Sequence, residues 1–173
     1  MQKADKIYLI GFMGSGKSTT GRRLAAYLNW SFLDLDEIIE KNTGMKIRDI
    51  FSEKGEEFFR LSESAALKET EFVSNTVIAT GGGAPCFGRN MDFMLGHGLT
   101  IYLSLTPDKL KERLAKSDGK RPLLKGIGKE NLEEYISAKL EEREKWYLSA
   151  KLIIDCNKTS FQGLCNMVKK LII

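Results

Sequence analysis

Residues Gly11 to Thr19 read GFMGSGKST. Gly, four residues, Gly, Lys, Ser is the pattern of a phosphate-binding loop, and it follows the apolar run Ile7, Tyr8, Leu9, Ile10, which reads as a short buried strand. Gly11, Gly14 and Gly16 let the backbone curl so that successive N–H groups converge on one centre. A helix expected from near Lys17 adds its positive N-terminal end to that nest. In such a loop Gly14, Ser15, Gly16, Lys17, Ser18 and Thr19 wrap a polyphosphate, Lys17 reaching the terminal phosphates and Ser18 offering its hydroxyl to Mg²⁺. A glycine-rich turn without a ligand is the alternative reading. The strand before, the helix after and the fixed Gly-Lys-Ser together set it aside. The stretch points to a nucleotide and leaves the acceptor open.

With 173 residues the chain has the size of one domain with a full core. Its net charge of +4 comes from Lys and Arg interspersed with Asp and Glu, which suits a small anionic substrate as well as nucleic acid and so separates neither. The first residues lack a signal-peptide pattern and no apolar run reaches membrane-spanning length, so a cytoplasmic protein with no membrane partner is expected. Cys86, Cys156 and Cys165 are odd in number and lack CxxC spacing, which implies neither a disulfide framework nor a zinc site. The single histidine, His97, lies between two glycines and reads as a surface or loop residue rather than a base.

Beyond the loop, helical patterns run over Ser18 to Asn29, Asp36 to Asn42 and Ile47 to Thr70, the last broken near Gly55. Strands are expected at Trp30 to Leu35, Thr76 to Thr80, Leu99 to Leu105 and Leu152 to Cys156. Helices are expected around Asn90 to Leu95, from Pro107 to Ala115, from Lys129 to Leu148 and from Ser160 to Leu171. Strands alternating with helices imply an α/β protein whose mostly parallel sheet is covered on both faces. The segment Lys116 to Gly128 stands apart, with three glycines, a proline, several basic residues and no periodicity.

Several groups outside the loop carry chemistry. Read as strand, Phe32 to Asp36 places Asp34 and Asp36 on one side near the C-terminal end, the ligand-binding edge of a parallel sheet. Two carboxylates there suit a Mg²⁺ shell and a substrate hydroxyl, while Asp36 alone also reads as the N-cap of the helix that follows. Gly81, Gly82 and Gly83 end a strand on the same edge and offer close backbone approach and N–H donors. On the helix from Lys129, Arg143 falls in the apolar stripe of Leu132, Ile136, Leu140 and Tyr147; an inward arginine needs an anion, either a structural aspartate or a bound carboxylate or phosphate. Arg60, with Glu56 and Glu63 at helical spacing, reads as part of a solvated ion-pair face. The Lys116 to Gly128 segment reads as a cover that excludes water during phosphoryl transfer, with Arg121 as an arginine finger supplied in cis; a plain surface loop is its ordinary alternative.

Taken together, GFMGSGKSTTGRRLA, FLDLDEIIEKNTGMKIRDIFSEKGEEFFRLSES, VIATGGGA, RPLL at Arg121 to Leu124 and RxxxY at Arg143 to Tyr147 resemble shikimate kinases, in order and over most of the chain. The resemblance implies a nucleoside monophosphate kinase-like fold: three layers, α/β/α, around a five-stranded parallel sheet. It implies one kinase domain over residues 1–173, with a substrate-binding helical insertion at about 36–72 and a mobile lid at about 116–128. It also implies ATP as co-substrate, one Mg²⁺, and transfer of the γ-phosphate to the 3-hydroxyl of shikimate by a monomer with no nucleic-acid partner. By the same resemblance Asp36, Arg60 and Arg143 hold shikimate beside Gly81, Gly82 and Gly83, and Asp34 supports the Mg²⁺ shell. Arg121 contacts phosphate, and Ile47, Phe51, Phe59, Pro122 and Leu123 line the pocket. Lys17, Asp36 and Arg121 form the catalytic set. The chain departs from the pattern around adenine: Arg113 and Lys116 do not align cleanly with the stacking arginine before RPLL, and Asn157 to Ser160 has no proline.

The nearest rival is a kinase of another polyol acid such as gluconate. A GTP switch is opposed by the lack of Asp-x-x-Gly and of an aspartate after Asn157-Lys158, and a nucleic-acid module by the lack of an aromatic-interleaved basic face.

Overall fold

The apolar runs form strands β1 (Lys6–Ile10), β2 (Ser31–Asp34), β3 (Thr76–Ala79), β4 (Leu99–Ser104) and β5 (Leu152–Asp155) of a single sheet. The computed structural model describes residues 4–116 and 122–172. The five strands lie in the order β2-β3-β1-β4-β5 and every neighbouring pair is parallel. β1 is central: Leu9 pairs with Ala79 on one side and with Ile101 on the other. It is buried along its whole length, as a parallel strand covered on both faces must be.

Strand alternation sends Ile7 and Leu9 into one layer and Tyr8 and Ile10 into the other. Helices α1 (Lys17–Leu28) and α8 (Phe161–Ile172) cover the first layer with Leu24, Ala25, Leu164, Cys165 and Val168. The second is covered by α2 (Leu35–Thr43), α3 (Ile47–Glu53), α4 (Gly55–Glu69), α5 (Asn90–His97) and α7 (Leu132–Tyr147). A third cluster fixes the glycine-rich loop itself. Phe12 and Met13 pack with Leu110 and Leu114 of α6 (Pro107–Ala115) and with Leu132 and Ile136 of α7. Each such aliphatic side chain is worth about 1.5–3 kcal/mol when fully buried, so the loop rests on a firm bed.

The elements follow the sequence expectation to within a few residues, and the exceptions have local causes. Gly55 adopts φ +84 and separates α3 from α4. The helix expected from Lys129 begins at Leu132, because Asn131 N–H closes a turn onto the Gly128 carbonyl at 3.0 Å. β2 ends at Asp34, one residue before the expected Leu35. There the Asp34 side chain accepts the Asp36 N–H at 3.0 Å and caps α2. Asp34 and Asp36 therefore do not alternate along one strand. Asp34 is the cap and Asp36 stands in the first turn of the helix, which corrects both readings of the pair. His97 is the last residue of α5, not a loop residue, with its Nδ1 2.8 Å from the Phe93 carbonyl and its ring stacked on Phe93.

Candidate active site

The loop leaves the C-terminal end of β1 and feeds α1, with Gly11, Gly14 and Gly16 at φ 144, 82 and 91. β-Carbons are excluded as well as disfavoured here: one on Gly11 would lie 2.7 Å from the Leu103 carbonyl oxygen, and one on Gly14 3.0 Å from a Leu114 methyl. Lys17 is buried and its Nζ donates to the carbonyls of Gly11 and Phe12 at 2.7 and 2.9 Å. The ammonium is thereby drawn back over the loop. Ser18 Oγ donates to Asp34 Oδ2 at 2.6 Å. Gly14, Gly16, Lys17, Ser18, Thr19, Asp34 and Asp36 line one cleft, together with Arg113. Arg113 was not expected on the loop, but its Nη1 donates to the Ser15 carbonyl at 3.2 Å and lies 3.4 Å from that of Gly14. A further cleft, lined in part by Ser15, Arg113, Thr159, Ser160 and Phe161, adjoins it.

Beside the loop is a second cavity of about 400 Å³. Ile47 and Phe51 of α3 and Phe59 of α4 form an apolar wall with Pro122 and Leu123, and Arg60, Glu63, Gly81, Gly82 and Gly83 form a polar one. Met13, Asp36, Gly81 and Gly82 line both this cavity and the loop cleft, so the two spaces meet at these residues.

Arg60 is not on a solvated face. It is only 8% exposed, and its Nη1 donates to Glu63 Oε2 at 2.7 Å while its Nη2 donates to Glu56 Oε1 at 3.3 Å. The i−4 and i+3 partners read from the sequence are the real ones, but the stripe they share turns inward, and Glu63 is fully buried. Burial works against the Arg60 charge, yet the attraction of Glu63 and Glu56 holds its pKa above the ordinary arginine value. Burial likewise raises the pKa of Glu63, with Arg60 opposing that rise.

Arg143 reaches the glycine turn from α7. It is buried, its guanidinium lies 5.4 Å from the Phe12 ring centroid, and a β-carbon on Gly82 would lie 3.4 Å from its Nη1. One helical turn later the Tyr147 hydroxyl donates to the Gly82 carbonyl at 2.6 Å. Burial raises the pKa of this phenol, so it remains a donor throughout the physiological range. Among the described residues, Ser15 Oγ, Glu63 Oε1 and Arg143 Nη1 are buried without a hydrogen-bond partner. Two of these orphaned atoms flank the glycine turn and the third belongs to the loop.

The structure brings Lys17, Ser18, Asp34, Asp36, Arg60, Gly81, Gly82, Gly83 and Arg143 to one edge of the sheet. Arg121, and with it residues 117–121 of the basic segment, lies outside the described residues. Sequence reasoning missed the burial of Glu63, the hydroxyl of Tyr147 and the contact of Arg113 with the loop. Among the described residues no group of three or more His, Cys, Asp or Glu is placed to hold a metal ion.

A family model for shikimate kinase matches residues 13–172. The shikimate kinase of Parabacteroides distasonis is 41% identical over 153 residues, 88% of this chain and 88% of its own length. The structure of shikimate kinase from Acinetobacter baumannii in complex with shikimate superposes with a TM-score of 0.87 at 36% identity, covering 98% of this chain and 93% of that one. A gluconokinase from Sinorhizobium meliloti aligns over 99% of this chain and 95% of its own at a TM-score of 0.60, but at 15% identity this is a likeness of fold alone. A glycine-rich loop and an arginine-lined cavity that meet on one sheet edge accompany this extent of identity, and the chain belongs to the shikimate kinase family.

Proposed function

We propose that this chain transfers the γ-phosphoryl group of ATP to the 3-hydroxyl of shikimate, giving shikimate 3-phosphate and ADP, in the biosynthesis of aromatic amino acids. The observation that carries this reading is the shared boundary of the two spaces. A phosphate loop and a cavity lined by the buried Arg60, with the buried Arg143 against Gly82, have Asp36, Gly81 and Gly82 in common. A hydroxylated carboxylate fits such a cavity: its acid faces Arg60 and Arg143, its ring lies against Phe51 and Phe59, and its hydroxyl faces Asp36.

In the reaction the acceptor oxygen forms a bond to the γ-phosphorus in line with the breaking bond to the β,γ-bridging oxygen. Asp36 orients the acceptor hydroxyl and takes its proton, while Lys17 and Arg121 balance charge on the transferring group. Because such transition states are largely loose, Asp36 acts more through position than through basicity. Ser18, and Asp34 through water, suit Mg²⁺, which is held by few protein oxygens plus the substrate phosphates. When bound, Mg²⁺ supplies charge neutralisation between the phosphates. Residues 36–72 act as the substrate-binding part of the domain and 116–128 as its lid. The base of ATP lies toward the cleft of Arg113 and Phe161. On this reading the enzyme works as a cytoplasmic monomer on two small molecules, without nucleic acid or membrane. Among the described residues no helix is long and apolar enough to cross a membrane.

The test is ADP release coupled to a spectrophotometric readout, with shikimate, gluconate or no acceptor. Release that depends on shikimate supports the proposal. Release with gluconate and none with shikimate sinks it.

A further inference from the structure

The apolar stripe of α7 ends in a residue that does more than fill space. Tyr147 is 1% exposed and its ring stacks on that of Tyr102 at 4.9 Å between centroids. Its hydroxyl donates to the Gly82 carbonyl at 2.6 Å, across 65 positions of chain. A carbonyl oxygen only accepts, so the phenolic proton lies on this bond.

Three further observations bear on what the bond achieves. First, a trans peptide points its C=O and the following N–H in opposite directions. Drawing the Gly82 carbonyl toward α7 therefore turns the Gly83 N–H away from α7. Second, the N–H groups of Gly81, Gly82 and Gly83 make no hydrogen bond to protein among the described residues, and all three glycines line the cavity. Third, Arg143 stands one turn before Tyr147 on the same helix face, and its orphaned Nη1 approaches the same Gly82. One face of α7 thus carries both a cation and the hydrogen bond that sets the neighbouring peptide. A three-glycine turn has little conformational preference of its own and needs such an anchor to hold one arrangement.

We propose that Tyr147 is a positioning residue for the acceptor. Its hydroxyl fixes the Gly82–Gly83 peptide so that the turn and Arg143 Nη1 present one preorganised cradle to the acceptor carboxylate. The proposal rests on the reading of the acceptor as shikimate. Because the bond acts on the acceptor half of the site, its loss weakens shikimate binding and leaves the nucleotide half unchanged.

The test is Tyr147→Phe, which keeps the ring and its stacking, beside Ala138→Gly, an exposed change inside the same helix, away from both site cavities, that serves as a matched loss of stability. Shikimate affinity is read by equilibrium titration of intrinsic fluorescence, and KM and kcat for both substrates by the coupled assay. For Tyr147→Phe we expect shikimate Kd and KM to rise about 5- to 10-fold, the worth of one neutral hydrogen bond, with the KM for ATP and kcat within twofold of wild type. Ala138→Gly should leave all four constants within twofold. Wild-type shikimate affinity in Tyr147→Phe overturns the proposal, as does an equal rise in Ala138→Gly, which would mark a general loosening of α7. Failure of the wild type to bind shikimate would remove the acceptor reading and this proposal with it, an outcome distinct from wild-type binding that Tyr147→Phe leaves unchanged.

Discussion

Ser18 and Asp34 are joined by a 2.6 Å hydrogen bond from Oγ to Oδ2, and the other oxygen of the same carboxylate accepts the Asp36 N–H at 3.0 Å. One side chain therefore ties the glycine-rich loop to the helix that carries Asp36, and in the proposed reaction it has two separable duties. As a helix cap it needs an acceptor oxygen; as part of a Mg²⁺ shell it needs negative charge.

Asparagine at position 34 separates them. Asp34→Asn retains an oxygen for the Asp36 N–H, so its thermal stability should stay close to wild type, while the Mg²⁺ concentration for half-maximal activity rises about tenfold or more with loss of the charge-assisted contact. Asp34→Ala should show the same Mg²⁺ defect and also lose about 1 kcal/mol of stability with the cap. Thermal melts and Mg²⁺ titrations of the two variants check this. Equal Mg²⁺ dependence in wild type and Asp34→Asn would remove Asp34 from the metal shell.

In the proposed reaction Lys17 balances charge on the transferring group and Asp36 serves the acceptor hydroxyl. Lys17→Ala should lower kcat by about 10²–10³, the usual cost of one preorganised donor aimed at developing charge. Asp36→Asn keeps an oxygen to position the acceptor hydroxyl and loses the proton acceptor, so kcat should fall by about 10²-fold, the low end of the range for a general base, with the KM for ATP little changed. Single-turnover measurements with saturating substrates separate these effects from binding. Wild-type turnover by Lys17→Ala would contradict the loop assignment itself.

The loop was legible because its chemistry is local: glycines, lysine and serine must be adjacent in sequence to make a nest. The sheet was legible for a similar reason, since an apolar run such as Ile7 to Ile10 fits only a strand buried on both faces. Arg60 was misread as solvated because an ion pair at helical spacing looks the same on a wet face and a dry one. The distinguishing signal was present: Glu63 shares the i, i+4, i+7, i+8 stripe with Phe59, Ala66 and Leu67, all buried. Asp34 and Asp36 were misplaced because a strand that turns at once into a capped helix keeps an alternating pattern up to the cap. The Tyr147 bond to Gly82 had no local trace, since its partners are 65 residues apart.

Close approach rather than backbone dihedral explains the first glycine of the acceptor turn. A β-carbon on Gly81 would collide with Oε1 of the fully buried Glu63, the partner of Arg60. Gly81→Ala should therefore destabilise by about 1–3 kcal/mol, as overpacking does, and raise the KM for shikimate by displacing Arg60. Gly96→Ala in α5 is the control, because its β-carbon meets nothing within 4 Å. That change should be neutral or stabilising by about 0.5–1 kcal/mol. Denaturant unfolding of both variants checks the contrast, and an unaltered Gly81→Ala would mean that the Arg60–Glu63 pair yields freely.

Cys86 lies just beyond the acceptor turn, and burial pushes its thiol from 9.0 up to about 11, with Arg143 and Arg60 opposing that rise. At pH 8 its thiolate fraction in the folded protein is then about 100-fold below that of an ordinary cysteine. Folding holds a proton that the unfolded chain has already released between these values. The associated stability is present below pH 9 and is lost as pH rises through about 11. In a Cys156→Ser, Cys165→Ser background, iodoacetamide labelling of the native protein should accelerate about tenfold per pH unit up to pH 10 without a plateau. The urea-unfolded chain should level off just above pH 9. Unfolding free energy should fall more between pH 8.5 and 10.5 with Cys86 present than in Cys86→Ser. A native labelling profile that levels off near pH 9 would show that the thiol beside the glycine turn is as accessible to water as in the unfolded chain.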